Sequence, residues 1–254
     1  MSRGSRRVAE AGIAGRLVRR LRAVARRLDG RWPPALGQVR APDIAGTRPI
    51  SRDFGWDRGT PIDRYFIEGF LAAQAADIRG HVLEIGDAGY SRRFGGARIT
   101  RQDVLHVDPA APEAMIVGDL SVAGTLPPAT FDCIVFTQTL QFVFDFHAAL
   151  AELARALRPG GVLLVTVPGI SPLDRGEWRD TWYWSFTQYS LQRLAEVHFP
   201  RWDTALAQHG NVFAAIAFLH GLAVEEVDCT RLDAVDAAFP VILTARLRRP
   251  AADV

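Results

Sequence analysis

The sequence predicts an α/β fold: a doubly wound, mostly parallel sheet with helices on both faces. Two observations carry this. Short strand-like runs recur at 82–85, 104–107, 115–117, 132–136, 162–167, 202–207 and 241–247, seven in all, and helical periodicity separates several of them. That alternation is the rhythm of βαβ units in a parallel sheet. In addition, the first three runs each close on a glycine or a carboxylate, at Gly86, Asp108 and Asp119. In open α/β sheets, ligands lie beyond the carboxyl ends of the strands.

The elements follow in order. Residues 6–28 read as a basic amphipathic helix, with Ile13, Leu17, Leu21, Val24 and Leu28 at three- and four-residue spacing among arginines. It suits docking to an anionic membrane surface or an acidic partner, or else a solvated tail. Residues 29–59, with Pro33, Pro34, Pro42 and Pro49, read as a linker or irregular arm. The expected division is therefore 1–59 for helix and linker and 60–254 for the domain. Thr60, Pro61 and Asp63 form a helix start, with Thr60 as cap, for a helix reaching about residue 76. Residues 91–103 hold Gly95, Gly96 and four arginines, so the first crossover helix is expected to be short. Helices are expected at 146–157, at 188–198 behind a Thr187 cap, and at 211–222.

Composition bounds the function. The chain has 254 residues, 48% of them hydrophobic, enough for one sizeable core. Two cysteines, Cys133 and Cys229, make neither a disulfide framework nor a metal pattern, which points to a reducing cytoplasm. Every basic residue is an arginine. Residues 1–31 carry ten arginines against Glu10 and Asp29, a net +8 that leaves −6 on the remainder of a chain whose total is +2. A domain of that sign does not suit nucleic acid. No apolar run reaches the roughly 20 residues that span a bilayer.

The strand ends carry the chemistry. Asp108 falls 22 residues after Gly86, where a carboxylate can accept hydrogen bonds from both ribose hydroxyls of an adenosine. Asp119 is placed to meet an adenine amino group. A nicotinamide fingerprint needs Gly-x-Gly-x-x-Gly and seats a diphosphate. The turn here has only Gly86 and Gly89, with Asp87 inside it, and that carboxylate repels a diphosphate. A cationic ligand tolerates it. S-adenosylmethionine carries a sulfonium and an ammonium and no phosphate.

Glu84-x-Gly86 accordingly resembles the first motif of the class I S-adenosylmethionine-dependent methyltransferases. Phe131-Asp132-Cys133-Ile134-Val135-Phe136-Thr137 resembles their fourth strand. Leu157-Arg158-Pro159-Gly160-Gly161 followed by Val162-Leu163-Leu164-Val165 resembles the helix end, turn and fifth strand. The similarity covers roughly residues 60–249 and implies a Rossmann-like seven-stranded sheet whose last strand is antiparallel. It implies S-adenosylmethionine as cofactor, held by Glu84, Gly86, Asp87, Ala88, Gly89, Asp108, Asp119, Leu120 and Thr137. Within the superfamily, 90–96, His-Val-Asp-Pro at 106–109, 137–142 and 210–222 are most similar to methyltransferases found beside glycosyltransferases in bacterial glycan pathways. The family turn usually reads Glu-x-Gly-x-Gly-x-Gly. Here its last two glycines are Ala88, which requires a negative φ, and Tyr90, which adds bulk where the helix normally packs closely. The common Glu-His pair after the fourth strand is Gln141-Phe142, so a base carried by that histidine is absent.

Methyl transfer is an in-line displacement at an activated carbon, and positioning supplies much of the rate. A base is needed only where a hydroxyl must lose its proton. His209, at the end of the sixth strand, is the candidate; its plainer reading is a helix-capping or loop histidine. His147 reads as structural and His106 as buried. Gln138 and Gln141 after strand four, and Trp182, Tyr183 and Trp184 in the loop after strand five, are candidate acceptor contacts. With Trp178 they put four large aromatics within seven residues. Aromatic faces suit sugar rings, and they serve equally well as a hydrophobic clamp. The reading is a methyltransferase acting on an oxygen of a sugar, glycan or related small metabolite. The alternative is a catalytically degenerate cofactor-binding module that partners a glycosyltransferase.

Overall fold

The computed structural model describes residues 36–39 and 45–251. The helix read at 6–28 lies outside the described residues. The chain forms two compact units, interleaved in sequence. One comprises Ile67–Gly169, Asp180–Gln208 and Ile242–Val254; the other comprises Met1–Phe66, Ile170–Arg179 and His209–Val241.

The first unit holds the sheet. Its strands are β1 (Gly80–Ile85), β2 (Ile99–His106), β3 (Ile116–Val117), β4 (Phe131–Thr137), β5 (Leu157–Pro168), β6 (Asp203–His209, whose last residue belongs to the other unit) and β7 (Ile242–Arg248). Their order is β3-β2-β1-β4-β5-β7-β6. The pairs β2–β3, β1–β2, β1–β4 and β4–β5 are parallel, and β7 is antiparallel to β5, as the resemblance implied. β5 starts five residues earlier than the apolar pattern suggests. Leu157 pairs with Phe131, and a register shift between Phe131 and Cys133 accommodates Gly160 at φ +79°.

Alternation sets the two faces. Leu83, Ile134, Phe136, Leu163, Val165, Leu243 and Ala245 join one core cluster, capped by Leu150 and Leu153 of α3 (Phe146–Ala156) and Leu191 and Leu194 of α4 (Gln188–His198). Val82, Glu84, Val104, Cys133, Val135 and Leu164 line the opposite face and are also buried, as expected of a parallel sheet covered on both sides. Both helices are capped: Asp145 accepts from the Ala148 amide at α3, and Thr187, the expected cap, accepts from the Ser190 amide at α4. Helix α2 (Gly89–Gly95) is short, as the glycine and arginine content predicted.

The second unit is mostly irregular. It includes the first turn of α1 (Ile62–Ala73) and helix α5 (Val212–Leu219). Thr60 does not cap α1: its amide and its hydroxyl are given to Glu225, each at 2.9 Å. α1 also ends three residues earlier than expected. Residues 45–59, read as linker or irregular arm, are irregular but firmly packed. Ile50 and Ser51 donate their amides to the His220 carbonyl. The fully buried Arg58 forms a forked pair with Glu226, Nε to Oε2 at 2.7 Å. Asn211 caps α5 and donates Nδ2 to the carbonyls of Arg231 and Ala234.

Candidate functional site

The strand registers bring the predicted cofactor residues to one edge. Glu84 lies level with Val104 and Val135, Ile85 with Leu105, His106 with Val117, and Thr137 with Thr166. Val117, His106, Gly86, Thr137 and Thr166 therefore form one row across five strands, at the carboxyl ends of all the parallel ones. One residue beyond that row lie Asp87 and Gln138, and two residues beyond it lie Asp119, Asp108 and Pro168.

The turn after β1 closes on that edge. Gly86 has φ +91° and donates its amide to the Leu105 carbonyl at 2.9 Å. Among the described residues an added Cβ there would meet nothing within 4 Å, so backbone conformation rather than space demands the glycine. Ala88 keeps φ at −109°, so losing the family's glycine costs the turn nothing. Close packing of α2, which Tyr90 had called into question, comes from the other end of the helix. Ser91 and Gly95 face inward, and a Cβ on Gly95 would come within 2.6–2.8 Å of Ile99 and Ile78. The Tyr90 ring is half exposed and stacks on Phe94.

Two carboxylates shape the turn from opposite sides. Asp87 is exposed and accepts from the Gly89 amide at 2.7 Å. Glu84 is buried beneath it. Its oxygens accept from the amides of Tyr90 (3.1 Å) and Ser91 (2.8 Å) and from the Ser91 hydroxyl (2.5 Å). It thus fixes the N-terminus of α2, where a negative charge also complements the positive end of the helix dipole. Burial, with the nearby Asp87 charge, pushes the Glu84 carboxyl up to about 7, against the hydrogen bonds from Ser91 and Tyr90. Glu84 is therefore only partly ionised at pH 7, and it is the exposed Asp87 carboxylate that gives the turn the negative charge that suits a cation and opposes a diphosphate.

Asp108 is half-buried. Its Oδ1 accepts from the Ala110 amide at 2.8 Å, and its own amide donates to Nδ1 of His106 at 2.9 Å. That histidine, read as buried, is half-buried: its ring braces the Asp108 backbone. Asp119 is exposed, with Oδ1 accepting from the Ser121 amide and hydroxyl at 2.8 Å, while Leu120 is buried beside it.

At β4, Thr137 and Gln138 are half-buried and Gln141 is buried. Gln138 adopts φ +46°, a left-handed conformation uncommon outside glycine and often found at functional sites. Nothing in the residue pattern signals it. The segment 180–184 is zipped to the connection after β4. Gln141 O accepts the amides of Tyr183 (2.9 Å) and Trp184 (3.3 Å), and Trp184 Nε1 donates to Val143 O at 3.1 Å. Trp182 packs edge-on against Phe142 at 5.2 Å, and Trp184 against Phe146 at 5.2 Å. Tyr183 points outward, 45% exposed, with its ring edge-on to the 69% exposed Phe144 at 5.3 Å. The three candidate aromatics therefore divide: two brace and one is displayed. Trp178 belongs to the other unit, where its amide is held by Asp174.

His209 also belongs to that unit. It is half-buried, with its ring stacked on Phe66 at 6.0 Å, and burial holds its imidazole below the usual histidine range. It is therefore neutral at pH 7, the form a base requires. The next residue, Gly210, has φ +111°, and a Cβ there would strike Val241. Among the described residues, no group of three or more His, Cys, Asp or Glu side chains is arranged to hold a metal ion.

Residues 83–165 match the family model of a methyltransferase domain. Over 170 residues the chain is 29% identical to a Mycolicibacterium smegmatis protein named a probable S-adenosylmethionine-dependent methyltransferase, covering 65% of this chain and 61% of that one. The chain thus spans about three-fifths of the length of that curated relative. Among solved structures, it is similar to a chain of the complex between the Haloferax volcanii Trm112 methyltransferase activator and a methyltransferase (TM-score 0.52, 15% identity, 74% of this chain and 91% of that one). It is also similar to a SAM-dependent methyltransferase from Archaeoglobus fulgidus (TM-score 0.50, 10% identity, 73% and 94%). These likenesses establish a shared fold.

Proposed function

We propose that this chain, whose residues 83–165 match the family model of a methyltransferase domain, is an S-adenosylmethionine-dependent methyltransferase acting on an oxygen of a sugar, glycan or related small metabolite. The observation that carries the reading is the row of strand ends at which Gly86 opens the turn and beyond which, by two residues on the next two strands, lie Asp108 and Asp119. S-adenosylmethionine, when bound, supplies a methyl group on a sulfonium that leaves as a neutral thioether.

The chain's own residues supply the rest. Asp108 is placed to bind the ribose hydroxyls, and Asp119 with the buried Leu120 the adenine edge. Asp87 and the Glu84-fixed turn favour the cationic methionine end. Gln138 and Gln141 present amides at the strand-four end, and Tyr183 presents an aromatic face to the acceptor. His209, neutral at pH 7, is the candidate to take a hydroxyl proton.

The remaining parts of the reading concern setting. The domain runs from about residue 60, with 1–59 as its extension, and works in the cytoplasm. Among the described residues no helix is long and apolar enough to cross a membrane. The basic segment at 6–28 meets a membrane surface or an acidic partner, and the negative remainder of the chain disfavours a nucleic-acid acceptor. The second reading, a degenerate module partnering a glycosyltransferase, sits poorly with a turn that keeps its backbone geometry at both Gly86 and Ala88.

Labelled-methyl transfer from S-adenosylmethionine to nucleotide sugars, oligosaccharides and simple hydroxyl, amine and carboxylate compounds tests the proposal. Label on a sugar oxygen is the expected result. Tight cofactor binding without transfer to any compound would favour the degenerate module.

A further inference from the structure

Gln141 lies in the short 3-10 turn Leu140–Phe142 that follows β4, and it is 1% exposed. Its amide has a fixed orientation. Nε2 donates to the main-chain oxygen of Gln138 at 3.0 Å and lies 3.4 Å from Gln138 Oε1. Both are acceptors, so rotating the amide by half a turn would set oxygen against oxygen. The atom on the other side is therefore the carbonyl oxygen, and Oε1 is buried with no hydrogen-bond partner among the described residues.

The scaffold around this atom is fully determined. Gln138 is held in its left-handed conformation by its amide on Thr166 O (2.9 Å) and its Nε2 on Thr166 Oγ1 (3.2 Å). The Gln141 main chain carries Tyr183 and Trp184. Strain, a polar network and an unmatched acceptor thus coincide where β4 and β5 end, one strand from the Gly86 turn. Buried acceptors are almost always matched, and an unmatched one in a native protein is destabilising unless a bound donor meets it.

We propose that Gln141 Oε1 accepts a hydrogen bond from a donor group on the methyl acceptor, a hydroxyl in the sugar reading on which this inference rests. An amide is not a base at neutral pH, so Gln141 orients and selects the acceptor and leaves its proton to another group. The consequence is a specificity rule. An acceptor with a donor at this position is used, and its deoxy counterpart is rejected.

Two variants of the full chain test the rule. Gln141→Met keeps the shape and removes both polar atoms. Gln141→Glu keeps an acceptor oxygen and loses the donor toward Gln138. The probes are methyl glucopyranoside and UDP-glucose, their singly deoxygenated analogues, and a matched set of small amines and carboxylates. The Met variant is expected to raise the acceptor KM about tenfold or more, the effect of one stranded hydrogen bond. It should also lose the wild type's discrimination against one deoxy analogue. The affinity for S-adenosylhomocysteine should stay at wild type, and any drop in melting temperature from the lost bond to Gln138 O should be shared by the Glu variant. The Glu variant should recover most of the acceptor KM, which a purely structural role on Gln138 would not allow.

Acceptor kinetics equal to wild type in both variants would overturn the inference. So would a selective loss of S-adenosylhomocysteine affinity, which would assign the donor to the cofactor's ammonium. If the wild type methylates only amine or carboxylate probes, the sugar reading fails and the same Met and Glu comparison is decided on those probes. Transfer by the wild type to no probe at all would contradict both.

Discussion

The turn after β1 and the connection after β4 leave the same edge of the sheet on neighbouring strands, and they are built from different materials. The first is backbone and charge: Gly86 at φ +91°, Ala88 at −109°, and a buried carboxylate that receives three hydrogen bonds from the start of α2. The second is amides and rings: Gln138 and Gln141 tied to each other, with Phe142, Phe144 and Phe146 interdigitating with Trp182, Tyr183 and Trp184. A turn set by backbone dihedrals keeps its shape when surface side chains change, but it responds to protonation of the carboxylate beneath it. A connection set by packing ignores pH and fails when a ring is removed.

The largest effect should come from breaking the second region. Trp184→Ala removes a half-buried ring and its bond to Val143, and it should lower stability by about 3 kcal/mol, the low end for truncating a tryptophan. Denaturant unfolding checks this. A loss under about 1 kcal/mol would show that the zipper is not structural.

The first region should show itself in pH dependence. Glu84 is pushed up to about 7 in the folded protein against an ordinary value of 4.5, so folding favours its protonated form. Its contribution is therefore most favourable below about pH 4.5, declines as pH rises toward 7, and is level above that. Melting temperatures of Glu84→Gln should lack this downward step, while Trp184→Ala should retain it. Parallel profiles for wild type and Glu84→Gln would contradict the assignment.

The smallest stability effect sharpens the contrast within the aromatic segment. Tyr183→Ala removes an exposed ring and should change stability by no more than about 0.5 kcal/mol. It should nevertheless raise the acceptor KM. A stability loss matching that of Trp184→Ala would make the whole segment a brace.

The two regions were also unequally legible in the sequence. Strand-end chemistry follows from period-two alternation and the position of the first polar residue. Asp108 and Asp119 therefore fell on the right edge, and the condition placed on Ala88 was met. Partner choice was less legible. The sequence places Glu84 in a turn motif but does not show that its oxygens go to Tyr90 and Ser91, because those bonds depend on where α2 starts. Gly95 looked like a helix breaker, and only the approach of Ile99 and Ile78 shows its packing role. Thr60 had the spacing of a cap and went to Glu225, 165 residues away. The left-handed Gln138 carries no glycine to announce it. The aromatics at 182–184 could be counted but not sorted, since burial against Phe142 and Phe146 is decided by residues forty positions earlier.

The account rests on an anionic turn and an Asp108 carboxylate that together recognise a cationic adenosine cofactor. Calorimetric titration of wild type and Asp108→Ala with S-adenosylhomocysteine and, separately, with NAD tests that most directly. The account predicts binding of S-adenosylhomocysteine, weakened by about 1–3 kcal/mol in Asp108→Ala by the stranded ribose hydroxyls, at an unaltered melting temperature. NAD binding with no response to S-adenosylhomocysteine would contradict it.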